Sequence, residues 1–518
     1  MSAAVPQRRL LCAAPLVVPS LLAAALVAYG THAGIGLSTD SAAYIGAARG
    51  LLAGAGVATR GGDGAMQPMV LYAPLLPALI AGVSALGPEP FAAVRGLHVA
   101  LAAFNTAMVV WLILRDTGSR GWALAGGMVV ASALPFVMPH AIAWSEPTFF
   151  ACVLVAIACL AHYRTGGGGC ALAAAALAVG LGTMARYAGL ALVPAGAALV
   201  ARRRDSRRAA ALRDTVLFVL LSGAAPVAWG VRNQLRGALA YSRELGWHPP
   251  PLECWRRMAG SLLGWLGLRG IGAVVTLAAA GLALGASVTG RPRRSFTTLL
   301  AASPPAAQVG AVFAVAQIVF LLLAVTIADA ALAIDPRLLA PAFVCGVVAA
   351  IGTIAGWSQA ASWSPRQRAR VAAAVLVIAA AHLGHSIGWL AAAHREGYGF
   401  AHRSWRESAL LARVRALPPT AVVYTNAVPA VQLLLDRPVD YLPERELPMA
   451  GHANPAYEAE LSRMHRRLAA SHGVVVYFSA VDWVRQVPEP EELQRRLGLR
   501  ATYRGTEGAM YELADPEA

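Results

Sequence analysis

Acidic side chains that could act on a substrate stand beside the apolar segments of this chain, with arginines close by in the sequence. Asp40 follows the first apolar run directly, and Glu146 lies in residues 138–147 together with His140. Glu146 and His140 are candidates for a site that binds the acceptor or a metal ion. A carboxylate at the end of a membrane segment is costly unless it has a function. Two such carboxylates can supply a general base and a metal ligand, so a divalent cation held by Asp40 and Glu146 is left open.

Arginines recur in the same inter-span segments. Because a guanidinium matches a phosphate through two parallel hydrogen bonds, they are candidate phosphate ligands: Arg186, Arg232 and Arg337.

Each of these residues also has a structural alternative. Asp40 reads as an N-cap of a short helix, a role that Thr39 could fill equally, and Glu146 could favour a helix start through the helix dipole. The arginines could extend to the membrane interface, and His140 could be a hydrogen-bonded interfacial histidine. The placement of all these residues at one membrane face favours the functional interpretation.

The composition is typical of an integral membrane protein. Of the 518 residues, 57% are hydrophobic and only 14% are charged, where a soluble protein is nearer one quarter charged. The formal charge of +16 would suggest nucleic acid in a soluble chain, but here the arginines cluster between apolar runs and report membrane topology instead. The six cysteines form no Cys-x-x-Cys pair, which argues against a cysteine metal site and a disulfide framework.

Apolar runs and the positive-inside pattern predict about 11 membrane spans with the amino terminus inside. Residues 31–90 are predicted to form one large external loop, because the proline-containing run 69–80 breaks the charge alternation if it crosses. The predicted spans are 10–29, 91–114, 121–137, 147–163, 170–185, 188–201, 214–231, 269–288, 308–328, 337–357 and 371–391.

The character of the chain changes near residue 394. Helices are predicted at 404–416, 429–435, 454–471 and 491–499, and strands at 421–425, 473–478 and 509–513. The predicted fold is therefore mainly α: a polytopic transmembrane helical domain (1–393) followed by a small external α/β domain (394–518).

Several short segments, in order along nearly the whole chain, resemble the GT-C superfamily of polytopic glycosyltransferases, in the branch of protein O-mannosyltransferases and aminoarabinose transferases. They include TDSAAYIGAARG after the first span and the segments at residues 72–79, 145–147, 186–190, 229–233, 336–341, 423–426 and 437–443. Such proteins transfer a sugar from a polyprenyl-phosphate donor to an acceptor outside the membrane.

The resemblance implies roles for individual residues. Asp40 is the implied catalytic base, Glu146 helps to bind a metal or orient the acceptor, and Arg186 and Arg232 bind the donor phosphate. Many relatives have Asp-Glu where this chain has Asp40-Ser41, which leaves Mg²⁺ or Mn²⁺ binding open.

The sequence thus predicts a glycosyltransferase of the bacterial cytoplasmic membrane that uses a polyprenyl-phosphate sugar and a lipid, protein or glycan acceptor, in contact with membrane lipids and with no nucleic-acid partner. The alternatives are a polytopic transporter or lipid flippase, and a non-catalytic envelope scaffold. The sequence argues against the transporter, because it shows neither repeated halves nor pairs of charged residues in the middle of a span.

Overall fold

A computed structural model describes residues 5–203, 207–236, 246–266, 303–328, 332, 334–447, 452–481 and 486–514 of the chain. A helical bundle is followed by a small mixed domain. The bundle and the loops on it contain α1 (Val5–Gly30), α2 (Thr39–Leu52), α3 (Leu75–Ser84), α4 (Pro90–Thr117), α5 (Arg120–Ser132), α6 (Leu134–Ala141), α7 (Glu146–Arg164), α8 (Gly169–Ala185), α9 (Leu192–Ala201), α10 (Arg208–Leu235), α11 (Leu252–Trp265), α12 (Pro305–Ile327), α13 (Ala340–Ala360) and α14 (Pro365–Glu396).

Six of the described helices are long and apolar enough to cross a membrane: α4, α7, α10, α12, α13 and α14. The predicted span 121–137 is not one straight helix, because α5 and α6 meet at Ala133 with a bend of 52°. If this bent pair is one span, the described helices supply seven crossings. Helix α8 and the pair Tyr187–Ala191 and α9 are apolar but shorter, and the crossing predicted at 269–288 lies outside the described residues. The protein is a multi-pass membrane protein, and the count of about 11 spans stays a prediction.

The connections between these helices meet at two opposite ends of the bundle. At one end, the N–H of Ala306 donates to Asp116 Oδ2 at 2.7 Å, and Arg164 Nη1 donates to the carbonyl of Leu199 at 2.9 Å. Glu146 begins α7 and Arg164 ends it, so the loops around Glu146 lie about 27 Å away, given 1.5 Å of rise per residue over its 19 residues.

The segment between α1 and α4 folds against the end of the bundle that carries Glu146. It consists of α2, a two-stranded hairpin of β1 (Ala58–Arg60) and β2 (Met66–Pro68), and α3. Helix α3 has ten residues and is about 15 Å long, which is too short to cross a 30 Å hydrocarbon core.

The final domain is built on a five-stranded sheet in the order β4–β3–β7–β9–β8. The strands are β3 (Val423–Thr425), β4 (Asp440–Tyr441), β7 (Val474–Phe478), β8 (Leu499–Gly505) and β9 (Gly508–Leu513), and a separate pair is formed by β5 (Glu446–Leu447) and β6 (His452–Ala453). Strand β3 runs parallel to β4 and β7, whereas β9 is antiparallel to β7 and β8. The helices are α15 (Arg403–Arg406), α16 (Ala409–Ala416), α17 (Val428–Leu435), α18 (Tyr457–Ser471) and α19 (Pro490–Leu497).

The α/β prediction for this domain is confirmed in its main elements, but one predicted helix is interrupted and the strands β4, β5, β6 and β8 were not predicted. The helix predicted at 404–416 is interrupted, since Ser408 caps a new helix by accepting from the N–H of Leu411. Strand β8 was not predicted; it alternates buried and exposed residues at an edge of the sheet, so its apolar content is low.

A shared apolar cluster joins this domain to α2 and α3. Ile45 of α2 and Ile80 of α3 pack in the same buried cluster as Trp405, Val431 and Phe478 of the final domain. Helix α2 is therefore held between the bundle and the final domain.

Candidate active site

Asp40 lies in the first turn of α2 but does not cap the helix. Ser38 is the N-cap residue, and its N–H donates to Ser41 Oγ at 3.0 Å. Trp144 Nε1 donates to Ser38 Oγ at 2.7 Å, which ties the start of α2 to the loop before Glu146. The prediction that Thr39 or Asp40 caps this helix is wrong, and the Asp40 carboxylate is available for other contacts.

The short extended segment before α2 sets the position of Asp40 relative to Glu146. The N–H of Gly36 donates to the carbonyl of Ala141 at 2.9 Å, and the N–H of Leu37 donates to the carbonyl of Tyr398 at 3.1 Å. Gly399, which follows Tyr398, has a φ of +61°, and a Cβ at this position would collide with the carbonyl oxygen of Leu37. This close approach requires glycine.

Both oxygens of Asp40 are occupied by donors. The Tyr72 hydroxyl donates to Oδ1 at 3.0 Å, and Arg337 Nη2 donates to Oδ2. Burial raises the pKa of Asp40, but the Arg337 charge and the hydrogen bonds from Arg337 and Tyr72 outweigh it, so the pKa lies below its usual 3.8. Asp40 is therefore ionised at neutral pH and can accept a proton or a hydrogen bond from a substrate hydroxyl.

Glu146 holds two arginines, Arg186 and Arg337, in position. Its side chain is fully buried, and Oε1 accepts from Arg337 Nε at 2.5 Å and lies 2.6 Å from Arg186 Nη1. Arg186 Nη1 also donates to Ser145 Oγ at 3.2 Å, and the Arg337 guanidinium stacks 3.9 Å from the centre of the Trp144 ring. One guanidinium thus bridges the two carboxylates that the sequence singled out. The neighbouring carboxylates, Glu146 and then Asp40, outweigh burial and raise the pKa of Arg337.

A cavity of about 550 Å³ opens on this cluster. Its polar end is lined by Asp40, Tyr72, Arg186 and Arg337, and most of its remaining wall is apolar. Helix α12 supplies part of that wall through Phe320, Leu321 and Ala324. The cavity therefore combines two cations and a carboxylate with an apolar surface on a membrane-spanning helix.

His140, a predicted metal or acceptor candidate, does not line this cavity. It is fully buried, and its Nδ1 lies 2.7 Å from the carbonyl of Phe136, so Nδ1 carries the proton. Nε2 then accepts from Asn105 Nδ2 at 3.1 Å, and the same amide donates to the carbonyl of Pro147 at 2.9 Å. Both ring nitrogens are engaged, so in this arrangement His140 supports the turn that carries Glu146.

Arg232, predicted to bind phosphate, lies outside the cavity lining as well. Its guanidinium donates to the carbonyls of Met69 and Val57 at 3.2 and 3.1 Å, and to Asn233 Oδ1 at 2.9 Å. It also stacks over Trp229 at 4.5 Å. Arg232 therefore fastens the segment of the β1–β2 hairpin to α10, whereas Arg186 and Arg337 face the cavity.

The described donors do not match a divalent cation site. Asp40 and Glu146 already share Arg337, and the described residues contain no group of three or more His, Cys, Asp or Glu side chains that could hold a metal ion. A cation between these carboxylates would have to displace the guanidinium, which carries a like charge. The predicted Mg²⁺ or Mn²⁺ stays a prediction that this arrangement does not support.

Two tyrosines that were not predicted from the sequence, Tyr44 and Tyr72, belong to the site. Tyr44 donates to Ser145 Oγ at 3.0 Å, and its ring lies edge-on to that of Tyr72 at 5.3 Å. Tyr44 follows Asp40 by four residues, which places both on one face of α2 and was a readable signal. Tyr72 stands in a coil segment, where spacing says nothing about direction. Burial, followed by the Asp40 charge, raises the pKa of both hydroxyls, which therefore stay protonated donors.

Asp335 adds a further carboxyl group to the cavity lining. Its Oδ1 accepts from the N–H of Leu338 at 2.8 Å and so stabilises the turn that carries Arg337. Burial raises the pKa of Asp335. Asp335 is therefore both a local cap of this turn and a residue of the cavity lining.

Solved structures share this architecture. ArnT from Cupriavidus metallidurans, bound to undecaprenyl phosphate, superposes with a TM-score of 0.59 at 14% identity over 100% of this chain and 99% of that one. Its apo form gives a TM-score of 0.63 at 13% identity over 96% and 97% of the two chains. The arabinofuranosyltransferase AftD from Mycobacteria gives 0.53 at 13% identity, over 97% of this chain and 40% of that one. No protein-family model matches the chain, and no curated protein sequence matches it significantly.

The fold is that of the GT-C glycosyltransferases. The resemblance noted in the sequence is confirmed at the level of the fold, from the first helix to the final α/β domain.

Proposed function

We propose that the protein is a membrane glycosyltransferase that moves a sugar from a polyprenyl-phosphate donor to an acceptor hydroxyl. The observation that carries this proposal is the cavity in which an ionised carboxylate and two arginines stand at the end of an apolar wall. The bound undecaprenyl phosphate of the ArnT structure, which has the same fold, supports a lipid-linked donor. The reaction is assigned to the outer face of a bacterial cytoplasmic membrane, with the final domain on that side.

The geometry allots a role to each group. The acceptor oxygen attacks the anomeric carbon, and its proton passes to Asp40 as the bond between that carbon and the phosphate oxygen breaks. The leaving polyprenyl phosphate keeps the electron pair of that bond. Arg186 and Arg337 stabilise its charge, since a planar guanidinium donates two hydrogen bonds to a phosphate. The first isoprenoid units lie against Phe320 and Ala324.

The arginines are held ready for this role by Glu146. A fully buried carboxylate fixes both guanidiniums through one oxygen, so they need little reorganisation when the phosphate binds. The described donors assign no step to a metal ion.

The proposal is tested with the purified protein, reconstituted in lipid, and radiolabelled polyprenyl-phosphate sugars. The wild type is expected to consume the donor and release polyprenyl phosphate, and Asp40→Asn is expected to lose this activity while inserting normally. Asp63→Asn is the matched control, because Asp63 is exposed in the same external segment. Full transfer by Asp40→Asn would refute the mechanism, and movement of intact donor across the membrane without cleavage would favour the flippase.

A further inference from the structure

A second cavity, of about 360 Å³, lies between α2, the hairpin of β1 and β2, and helix α17 of the final domain. Three arginines line it, Arg49, Arg60 and Arg437, together with one acid, Asp436. The lining thus carries a net charge of about +2 at neutral pH, whereas in the catalytic cavity Arg186 and Arg337 are matched by Asp40 and Asp335.

Two of these arginines have donors to spare. The contacts of Arg49 with the described residues are long: 3.5 Å from Nη1 to the carbonyl of Leu433 and 3.7 Å to Asp436 Oδ1, with the Phe91 ring centre 5.3 Å away. Arg60 is exposed and donates to the carbonyl of Asp436 at 3.2 Å. Most of the ten N–H donors of this pair therefore remain for a ligand.

The third arginine, Arg437, stabilises the structure around the cavity. Arg437 donates to the carbonyls of Leu417 and Ala421 at 2.9 and 3.0 Å, and so braces the end of α16 against β3. Its charge still contributes to the positive electrostatic potential of the cavity, but its Nη groups are used in hydrogen bonds to these carbonyls.

The two cavities lie on opposite faces of α2. Asp40 and Tyr44 face the catalytic cavity, and Arg49 and Gly46 line the second one, about 140–240° away around the helix axis at 100° per residue. Arg49 follows Asp40 by nine positions, or about 14 Å along the axis, to which the helix width adds. A group bound at Arg49 and a hydroxyl at Asp40 are thus about 15–20 Å apart.

We propose that this second cavity is an anion subsite that binds a phosphate or carboxylate group carried by the acceptor, at that distance from the hydroxyl that receives the sugar. The identity of the ligand as the acceptor rests on the proposed function. The site would select anionic acceptors over neutral ones, because charge-assisted hydrogen bonds to Arg49 and Arg60 form only with an anion.

The test measures binding directly, without donor or transfer, so its result does not depend on the proposed function. The full chain in phosphatidylcholine nanodiscs is titrated calorimetrically with glucose 1-phosphate, and with glucose as the uncharged control. The expected result is saturable binding of the phosphate that weakens as NaCl is raised, and no binding of glucose.

Variants assign this binding to one cavity. Arg49→Gln/Arg60→Gln is expected to weaken glucose 1-phosphate binding at least tenfold, and to do so equally in an Arg186→Gln background, in which the catalytic cavity has lost one of its phosphate-facing arginines. The matched control replaces two exposed arginines of the final domain, Arg463→Gln/Arg500→Gln, and is expected to bind as the wild type does. Unchanged binding in Arg49→Gln/Arg60→Gln, with the loss confined to Arg186→Gln, would overturn the proposal.

Two further arms identify the source of the anion. Adding phosphatidylglycerol to the nanodisc is expected to leave the affinity unchanged; if it abolishes binding, the cavity holds a lipid headgroup and the assignment to the acceptor is wrong. Inorganic phosphate is expected to compete at least tenfold more weakly than glucose 1-phosphate, and equal competition would show a site for free phosphate. Absence of binding to the wild type at millimolar concentration would also refute the subsite.

Discussion

Replacing Arg337 by methionine tests the reasoning most sharply, because this one guanidinium serves both carboxylates. Its side chain is 16% exposed, and that of Glu146 is fully buried. Removing one partner of a buried ion pair costs about 3–5 kcal/mol. Glu146 keeps Arg186 at 2.6 Å, so we expect the lower end, about 3 kcal/mol, and a lower thermal midpoint.

Activity is expected to fall further than stability explains. Losing one preorganised donor to a developing anion lowers kcat by about 10²–10³-fold. The measurements are donor consumption and thermal unfolding followed by tryptophan fluorescence, with Arg236→Met, at an exposed site at the end of α10, as the control.

A double variant separates the two effects. In Arg337→Met/Glu146→Gln the buried carboxylate that lost its partner is gone, so part of the lost stability is expected to return. Activity is not expected to return, since the cation that faces the leaving phosphate is still missing. Transfer within tenfold of wild type in Arg337→Met, or recovery of activity in the double variant, would refute the role of Arg337.

The remaining predictions concern Asp40, the apolar wall of the cavity, Gly399 and a metal ion. Because catalysis needs ionised Asp40, whose pKa is lowered from 3.8, the acid limb of kcat/KM is expected below about pH 4, and the stability from its contacts is present above pH 4 and lost as pH falls through the folded pKa. Tyr72→Phe removes a hydrogen bond that lowers this pKa, so the limb moves to higher pH; an unmoved limb in a pH–rate profile would exclude Asp40 as the titrating group. Ala324→Trp fills the apolar wall and is expected to raise KM for the donor at least tenfold, whereas Val319→Trp, on the exposed side of α12, is expected to leave KM unchanged; equal KM values would move the lipid path elsewhere. Gly399→Ala is expected to lower the free energy of unfolding by about 1–3 kcal/mol, because φ is +61° and the Leu37 carbonyl blocks a Cβ. A wild-type midpoint in thermal unfolding would contradict this requirement for glycine. Treatment with EDTA is expected to leave transfer unchanged, and restoration of a lost activity by Mg²⁺ or Mn²⁺ would show that a cation displaces Arg337.

The sequence predicted the parts of this protein that depend on composition and on short-range order. Apolar runs located the long helices, since a hydrocarbon core demands about 20 apolar residues wherever the chain crosses. The rarity of acids made Asp40 and Glu146 conspicuous, and the strand–helix alternation identified the final domain. Each signal is contained within a window of about 20 residues.

Contacts between distant segments were not predictable in this way. Arg337 and Asp40 are 297 positions apart, and nothing in either segment states that one guanidinium serves both Asp40 and Glu146. The bend at Ala133 also escaped prediction, because Leu134 and Pro135 extend the apolar pattern without showing a change of direction.

The sequence by itself determined a polytopic membrane chain with acids and arginines in the segments between its spans. Only the tertiary structure decided which of them meet: it placed Arg186 and Arg337 in the cavity, turned Arg232 to the carbonyls of Val57 and Met69, and buried His140 behind Glu146. The physical reason is that a guanidinium can donate hydrogen bonds to a carbonyl, a carboxylate or a phosphate, and the sequence does not show which of them it meets. The packing of the helices alone determines which of these partners lies within hydrogen-bond distance.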